Sequence, residues 1–390
     1  GGGRLAIIGA LLLAACTVAS PPTREPVTAL PSASEPPDVE PWKTDFTRLA
    51  DHVSPQDFVR ALPWRDAIPA LQAPVFVPAS EVDWIEGEEP VIAVEREGAW
   101  RAYPLQILLW HEIVNDVLEG EPIAVTFCPL CHTAVVFDRR LDGETLEFGV
   151  TGYLRRSDQV MYDRQTESWW QQATGVGLVG VHAGRHLEIL PSSLVAWSDF
   201  LGAHPDAGVL DRATGHDRPY GQNPYPGWDV AERNPFFKRV ELLACDEAPG
   251  CIDPKDRVAV VSVNGETVVF PFLRLAAAGG LVELEIGDVP VVVWWQAGVR
   301  TALGNHLLAQ GHDVGTVVAF DRRRDGAELS FELIGGALLD AESGTEWNTL
   351  GEATDGPLAG ERLQRLQVDT PYWFGFAAFG EEFRVWPDDV

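Results

Sequence analysis

Three hundred and ninety residues, 46% of them hydrophobic, are enough to bury two ordinary cores. The formal charge of −29, from 58 acidic against 29 basic side chains, argues against nucleic acid as a partner, since phosphates need a basic face. Such acidity fits a saline habitat as well as any substrate, so it excludes more than it identifies.

In chain order, residues 1–16 read as a lipoprotein signal peptide. Arg4 precedes the apolar run Leu5–Ala15, which has the length of a signal core and is too short to span a bilayer. The run ends in Leu13-Ala14-Ala15-Cys16, which resembles a bacterial lipobox and implies lipid attachment at Cys16. The chain opens Gly1-Gly2-Gly3 without a methionine, so a longer basic segment is expected ahead of Arg4. Residues 17–41 are rich in Pro, Ser and Thr, cannot pack a core and read as a tether. The expected address is extracytoplasmic, with the chain held to the membrane through its lipid.

Residues 42–90 form a proline-punctuated lead-in with enough Trp, Phe and Ile to pack onto a domain. Val91–Arg96 and Trp100–Tyr103 predict a hairpin turning at Glu97-Gly98. Leu105–Val117 reads as an amphipathic helix carrying Trp110 and His111. Strands are expected at Ile123–Phe127, Ala134–Arg139 and Glu144–Val150, with Asp142-Gly143 turning between the last two, and a second helix over Leu194–His204. A Gly/Pro/Asn-rich connector over 211–255 leads into 256–390, which repeats the strand pattern.

The repetition is an ordered ladder. Gly98, Tyr103 and Pro104 stand opposite Gly265, Phe270 and Pro271; Pro122, Thr133 and Ala134 opposite Pro290, Thr301 and Ala302. Phe137-Asp138-Arg139-Arg140 meets Phe320-Asp321-Arg322-Arg323 at a step of 183, placing an insertion of about fifteen residues after Ala302, and Asp163, Ser168 and Trp170 meet Asp340, Thr345 and Trp347 at a step of 177. The predicted fold is therefore β-rich α+β: a tandem duplication of a mainly antiparallel sheet unit (91–210 and 256–390), with one or two helices per copy, packed about a pseudo-twofold. Cys128, Cys131, Met161 and His111 have no counterpart in the second copy, so any chemistry belongs to the first.

Cys128-Pro129-Leu130-Cys131 lies between two strands. Two cysteines separated by two residues can exchange disulfides, hold a soft metal ion, or form an inert staple. No helix starts here to lower a thiol pKa as in thioredoxin-type sites. His111-Glu112-Ile113-Val114-Asn115 fails as a zinc-protease motif because Asn115 replaces the second histidine. His111 is a candidate base or ligand for the CPLC turn; alone, it would more often bond a backbone group beside Trp110. Met161, the sole methionine, would complete a thioether, two-thiolate and imidazole set suited to Cu(I); a lone methionine is otherwise core filler. Cys245 and Cys251 enclose a tight acidic loop and read as a structural disulfide, one of three possible pairings among the four cysteines after Cys16.

The run containing WHEIVND, CPLC and MYDRQT-S-W-QQ resembles a bacterial and archaeal domain-of-unknown-function family, over nearly everything from about Ile68 to the C-terminus. Some members of that family are described as selenoproteins, which implies redox chemistry; His132 stands where similar sequences often have Gly or Asn, which makes it a further ligand candidate. Three functions stay open. In the first, Cys128, Cys131 and His111 run thiol–disulfide exchange with a protein partner. In the second, these residues and Met161 hold copper or zinc. In the third, the pair only staples a cell-surface module.

Overall fold

The computed structural model describes residues 41–229 and 251–387. Strands dominate, in several antiparallel sheets, and the four α-helices among the described residues have five to seven residues each. Among the described residues no helix is long and apolar enough to cross a membrane.

The first half holds three five-stranded sheets. One orders Ser192–Ala196, Pro90–Arg96, Ala99–Pro104, Gly208–Leu210 and Phe76–Pro78. The second orders Ile189–Leu190, Thr133–Asp138, Glu121–Cys128, Ile113–Leu118 and Leu71–Gln72, and the third Phe58–Arg60, Phe148–Arg155, Asp158–Asp163, Trp169–Gln171 and Gly177–Val179. The lead-in thus contributes one short strand to each sheet. The expected hairpin at Glu97-Gly98 is present, with both turn residues at positive φ (49° and 83°), the twist that matches flanking strands.

Two expected helices are shorter than their periodicity suggests. Leu105–Val117 is helical only over Leu105–His111; Glu112 turns left-handed (φ 58°) and Ile113–Leu118 becomes a strand. The β-branched Ile113, Val114 and Val117 gain a six-residue antiparallel partner in Glu121–Cys128 through the turn at Glu119-Gly120, which outweighs a weak helical pattern. Similarly, Leu194–His204 begins as the strand Ser192–Ala196 and is helical only over Trp197–Ala203. The third expected strand divides into Glu144–Thr145 and Phe148–Arg155.

The second half has the same strand order, each sheet lacking the lead-in strand. Val368–Asp369, Val258–Val263, Glu266–Pro271 and Arg384–Val385 form one sheet; Gln364–Arg365, Thr316–Asp321, Val289–Gln296 and Leu281–Ile286 a second; Phe331–Ile334, Ala337–Asp340, Glu346–Trp347 and Ala353–Asp355 a third. Phe137 lies opposite Ala124 and Ile189, and Phe320 opposite Val292 and Arg365. Buried Trp170 donates its indole N–H to Asp163 (2.9 Å) as Trp347 does to Asp340 (3.0 Å). The pairing register moves the expected insertion. Cys128 pairs with Thr133 across a four-residue turn, whereas Gln296 pairs with Thr316 across residues 297–315, so the extra length replaces the CPLC turn itself. Thr133 therefore stands opposite Thr316 rather than Thr301.

Two of the hydrophobic clusters mix both halves. One joins Leu108, Cys128 and Cys131 to Val258, Tyr372 and Phe374. Another joins Val91 and Trp197 to Val292, Phe320 and Trp347. Cys251 is disulfide-bonded. Its expected partner Cys245 lies outside the described residues, as do Cys16, the signal segment and nearly all of the tether.

Candidate functional site

The CPLC turn caps the hairpin of Glu121–Cys128 and Thr133–Asp138, closing on His132 in the left-handed region (φ 57°). Both cysteines are buried free thiols, 1% and 0% exposed. The turn points both sulfurs toward the start of Asp158–Asp163, where Asp158 is fully buried. One ligand atom from each of Cys128, Cys131 and Asp158 lies within 4.8 Å of the others.

The Cys131 thiol donates to Asp158 Oδ1 (3.0 Å), and Thr133 Oγ1 sits 3.0 Å from the same sulfur. Asp158 Oδ2 accepts from Gln171 Nε2 (2.6 Å) and the Ala173 amide (2.9 Å), which orients the carboxyl. Gln171 is in turn held by Arg155, and Gln172 bridges Thr126 and Thr133, so the polar shell is ordered well beyond the three donors. Burial pushes both thiols above their ordinary values, Cys131 furthest, and raises the Asp158 carboxyl as well. A thiol in this setting is protonated at neutral pH, and a bound cation is what would reverse that.

The second half and the connector together cover the turn from outside. Tyr372 donates its backbone N–H to Cys131 O (2.9 Å), and Trp228 donates its indole N–H to Leu130 O (2.9 Å). Gly375 approaches so closely that a Cβ there would stand 2.9 Å from Cys131 Cβ and from its carbonyl oxygen. Lys255 Nζ lies 3.7 Å from the centroid of the Trp228 ring, and burial lowers its ammonium to about 7.

His111 and Met161 are not brought to the sulfurs. His111 Nδ1 is 2.7 Å from Pro69 O and Nε2 is 2.6 Å from Tyr220 Oη, so both ring nitrogens are engaged elsewhere. Burial lowers its imidazole to about 4, keeping it neutral. The backbone-bonding role is the one His111 plays. Met161 pairs across its sheet with Val150 and Trp170, in a core with Phe137 and Phe148. His132 directs Nε2 to Arg257 (2.9 Å) and packs its ring against Phe127 and Tyr372.

Residues that the sequence reading passed over take their places. Asp158 is one. Glu112, buried at the helix end, lines a cavity with Cys128, Gln159 and Tyr225, and burial raises its carboxyl to about 8. A signal for them was present. The hairpin closed by Phe148 and Asp163 is six residues longer than that closed by Phe331 and Asp340, the same drop seen between the steps of 183 and 177. That extra length carries Asp158 and Gln159. Glu112 stands where the second half has Gly279-Gly280.

A β-rich chain with a buried Cys-Cys-Asp cluster in its first half is the class of protein that fold and site define. The chain belongs to the family described as protein of unknown function DUF3179, which matches residues 65–383. No curated protein and no solved structure matches it.

Proposed function

We propose that the first half is a soft-metal centre in which Cys128, Cys131 and Asp158 hold zinc. The observation that carries this is the convergence of three ligand atoms within 4.8 Å in a buried, hydrogen-bonded setting. Two thiolates and a carboxylate suit zinc, and a carboxyl oriented by Gln171 and Ala173 is the outer-shell support such ligands need. Copper(I) fits less well, because the thioether and imidazole it favours lie elsewhere.

A second reading, thiol–disulfide exchange, is favoured by one feature: Cys128 borders a cavity while the Cys131 thiol donates to a carboxylate able to take its proton. One thiolate would attack a partner disulfide, releasing a thiolate, and the other would resolve the mixed disulfide. The protein pair is then oxidised as one partner disulfide is reduced to two thiols. Burial restricts that partner to a small disulfide. Metal analysis and thiol counting on protein purified without chelator separate the readings. About one zinc per chain, lost in Cys128→Ser and Asp158→Asn, supports the metal centre. A metal-free protein with a readily reduced Cys128–Cys131 disulfide overturns it in favour of exchange.

The same proposal places the chain outside the cytoplasm on a Cys16 lipid anchor, supported by the apolar run ending in Leu-Ala-Ala-Cys and the tether behind it. It also takes the halves as one duplicated unit about a pseudo-twofold, supported by their common strand order and by the Trp170–Asp163 and Trp347–Asp340 pairs. Superposition of 91–210 on 256–387 tests the latter.

A further inference from the structure

The second half carries a cavity of ≈ 370 Å³, within the roughly 300–1,000 Å³ that small-molecule sites occupy. One wall is the helix Phe272–Ala277, which follows its strand as Leu105–His111 follows Ala99–Pro104. Another is the loop 297–315, the length that stands in place of the CPLC turn, which contributes Thr301, Asp313 and Val314. Phe272, Leu273, Ala276 and Trp295 give the cavity an apolar side, open at Leu273, which is 70% exposed. Lys255, Arg257 and Asp229 bring charge to the same space.

These charges do not neutralise one another: among the described residues neither Arg257 nor Lys255 is ion-paired. Arg257 is half-buried. Its Nε donates to Thr370 O (3.0 Å) and its Nη1 faces His132 Nε2 (2.9 Å), which leaves Nη2 unsealed and without a partner among the described residues. Burial lowers its guanidinium only to about 10, so it stays charged at neutral pH. Lys255 is otherwise engaged, with Nζ donating to Trp228 O and resting on the Trp228 ring, and burial leaves it only partly charged near pH 7. Asp229 Oδ2 accepts from Thr301 Oγ1 (2.9 Å), and a Cβ on Gly304 would stand 2.8 Å from that oxygen, so the loop fixes the carboxylate. Its Oδ1 is unsealed and has no partner among the described residues. Asp313 is spent on the amides of Gly298, Val299 and Gly315, and Asp256 accepts from the Asp253 amide. Arg257 and Asp229 therefore line one cavity as opposite charges that do not meet, and withdrawing each from water is costly until a partner arrives.

We propose that this cavity binds a free α-amino acid with an apolar side chain, its carboxylate on Arg257 and its ammonium on Asp229. Guanidinium N–H groups donate to a carboxylate, and a carboxylate oxygen accepts from an ammonium, so one zwitterion satisfies both ends. The side chain lies along Leu273, Ala276 and Trp295, where burying apolar surface adds affinity. A simple carboxylate leaves Asp229 facing its own sign of charge, and a simple amine does the same to Arg257. At about 30 Å³ per liquid water the space equals about twelve waters, room for leucine. The cysteines do not line this cavity, so the site does not rest on the zinc reading. The length that took the place of the sulfurs thus builds a site of different chemistry.

The test titrates the full protein, by ligand-observed NMR, with three probes sharing one aliphatic body: leucine, isocaproate, which lacks the amine, and isoamylamine, which lacks the carboxylate. Leucine should saturate and bind roughly tenfold or more tightly than either truncated probe. Asp229→Asn keeps an acceptor for Thr301 and should erase the preference over isocaproate, while Arg257→Gln should erase the preference over isoamylamine. Arg257 also holds Thr370 O, so a variant that leaves it in place completes the test. Ala276→Trp fills the cavity from a half-exposed helix position and should abolish leucine binding, with the unfolding midpoint recorded for every variant. The proposal is overturned if leucine does not saturate, if either truncated probe binds as tightly, or if Asp229→Asn or Ala276→Trp keeps wild-type affinity for leucine.

Discussion

His111 and Glu112 are adjacent, and burial has driven them to opposite ends of the pH scale. His111 is lowered from 6.5 to about 4, while the Glu112 carboxyl is raised to about 8. For His111 the unfolded chain binds a proton that the folded one refuses between those values. Folded stability therefore falls as pH drops from about 6.5 toward 4, by at most ~3 kcal/mol from this group. His111→Gln should flatten that slope in a urea unfolding series between pH 6.5 and 4, leaving the pH dependence above pH 7 unchanged. The second single-residue prediction concerns Asp158. Asp158→Asn keeps the shape and leaves Gln171 Nε2 facing an amide, so the protein should lose roughly 1–3 kcal/mol of stability and, on the zinc proposal, its metal together. Retained metal at wild-type stoichiometry would remove Asp158 from the ligand set.

Among the secondary-structure elements, the CPLC hairpin depends on a neighbour from the far end of the chain. Gly375 sits against Cys131 with no room for a methyl group. Gly375→Ala should push the turn off its cover, costing about 1–3 kcal/mol in unfolding and raising the rate at which an alkylating reagent labels Cys131. Unchanged labelling would mean the turn is not gated by that contact. The same region explains what the sequence could and could not reveal. The cysteine pair and its place between strands were legible, because sulfur spacing survives translation into structure. The helix ending at His111 was not: Leu105–Leu109 sets a 3.6-residue pattern, and only the left-handed Glu112 and the strand pairing of Ile113–Leu118 break it. His111 and Met161 misled for a related reason. Both vanish from the second half along with the cysteines, yet a missing core side chain and a missing ligand look alike in one sequence. Asp158 and Gln159 were hidden in a change of spacing rather than a change of letter.

At the scale of the whole molecule, the shared cores decide cooperativity. Leu108, Cys128 and Cys131 pack in one cluster with Val258, Tyr372 and Phe374, and Phe320 and Trp347 pack with Val91 and Trp197. Each half also holds clusters of its own, but these two are completed only by both. Calorimetry should show one unfolding transition whose calorimetric and van't Hoff enthalpies agree; two resolved transitions would contradict the shared core. Attachment belongs to the same scale. Cys16→Ser should move the protein from the membrane to the soluble fraction on fractionation, and unchanged sedimentation with membranes would end the lipid-anchor proposal.

The backbone hydrogen bond from Tyr372 to Cys131 has a consequence for how the buried thiols meet oxidants. A thiol pair facing oxidants directly would last only as long as its chemistry allowed. Here an oxidant reaches the buried thiols only if the Tyr372 segment that covers the turn lifts away. Ageing of the centre becomes a matter of breathing at a seam, so anything that tightens the seam lengthens the working life of the sulfurs without touching them.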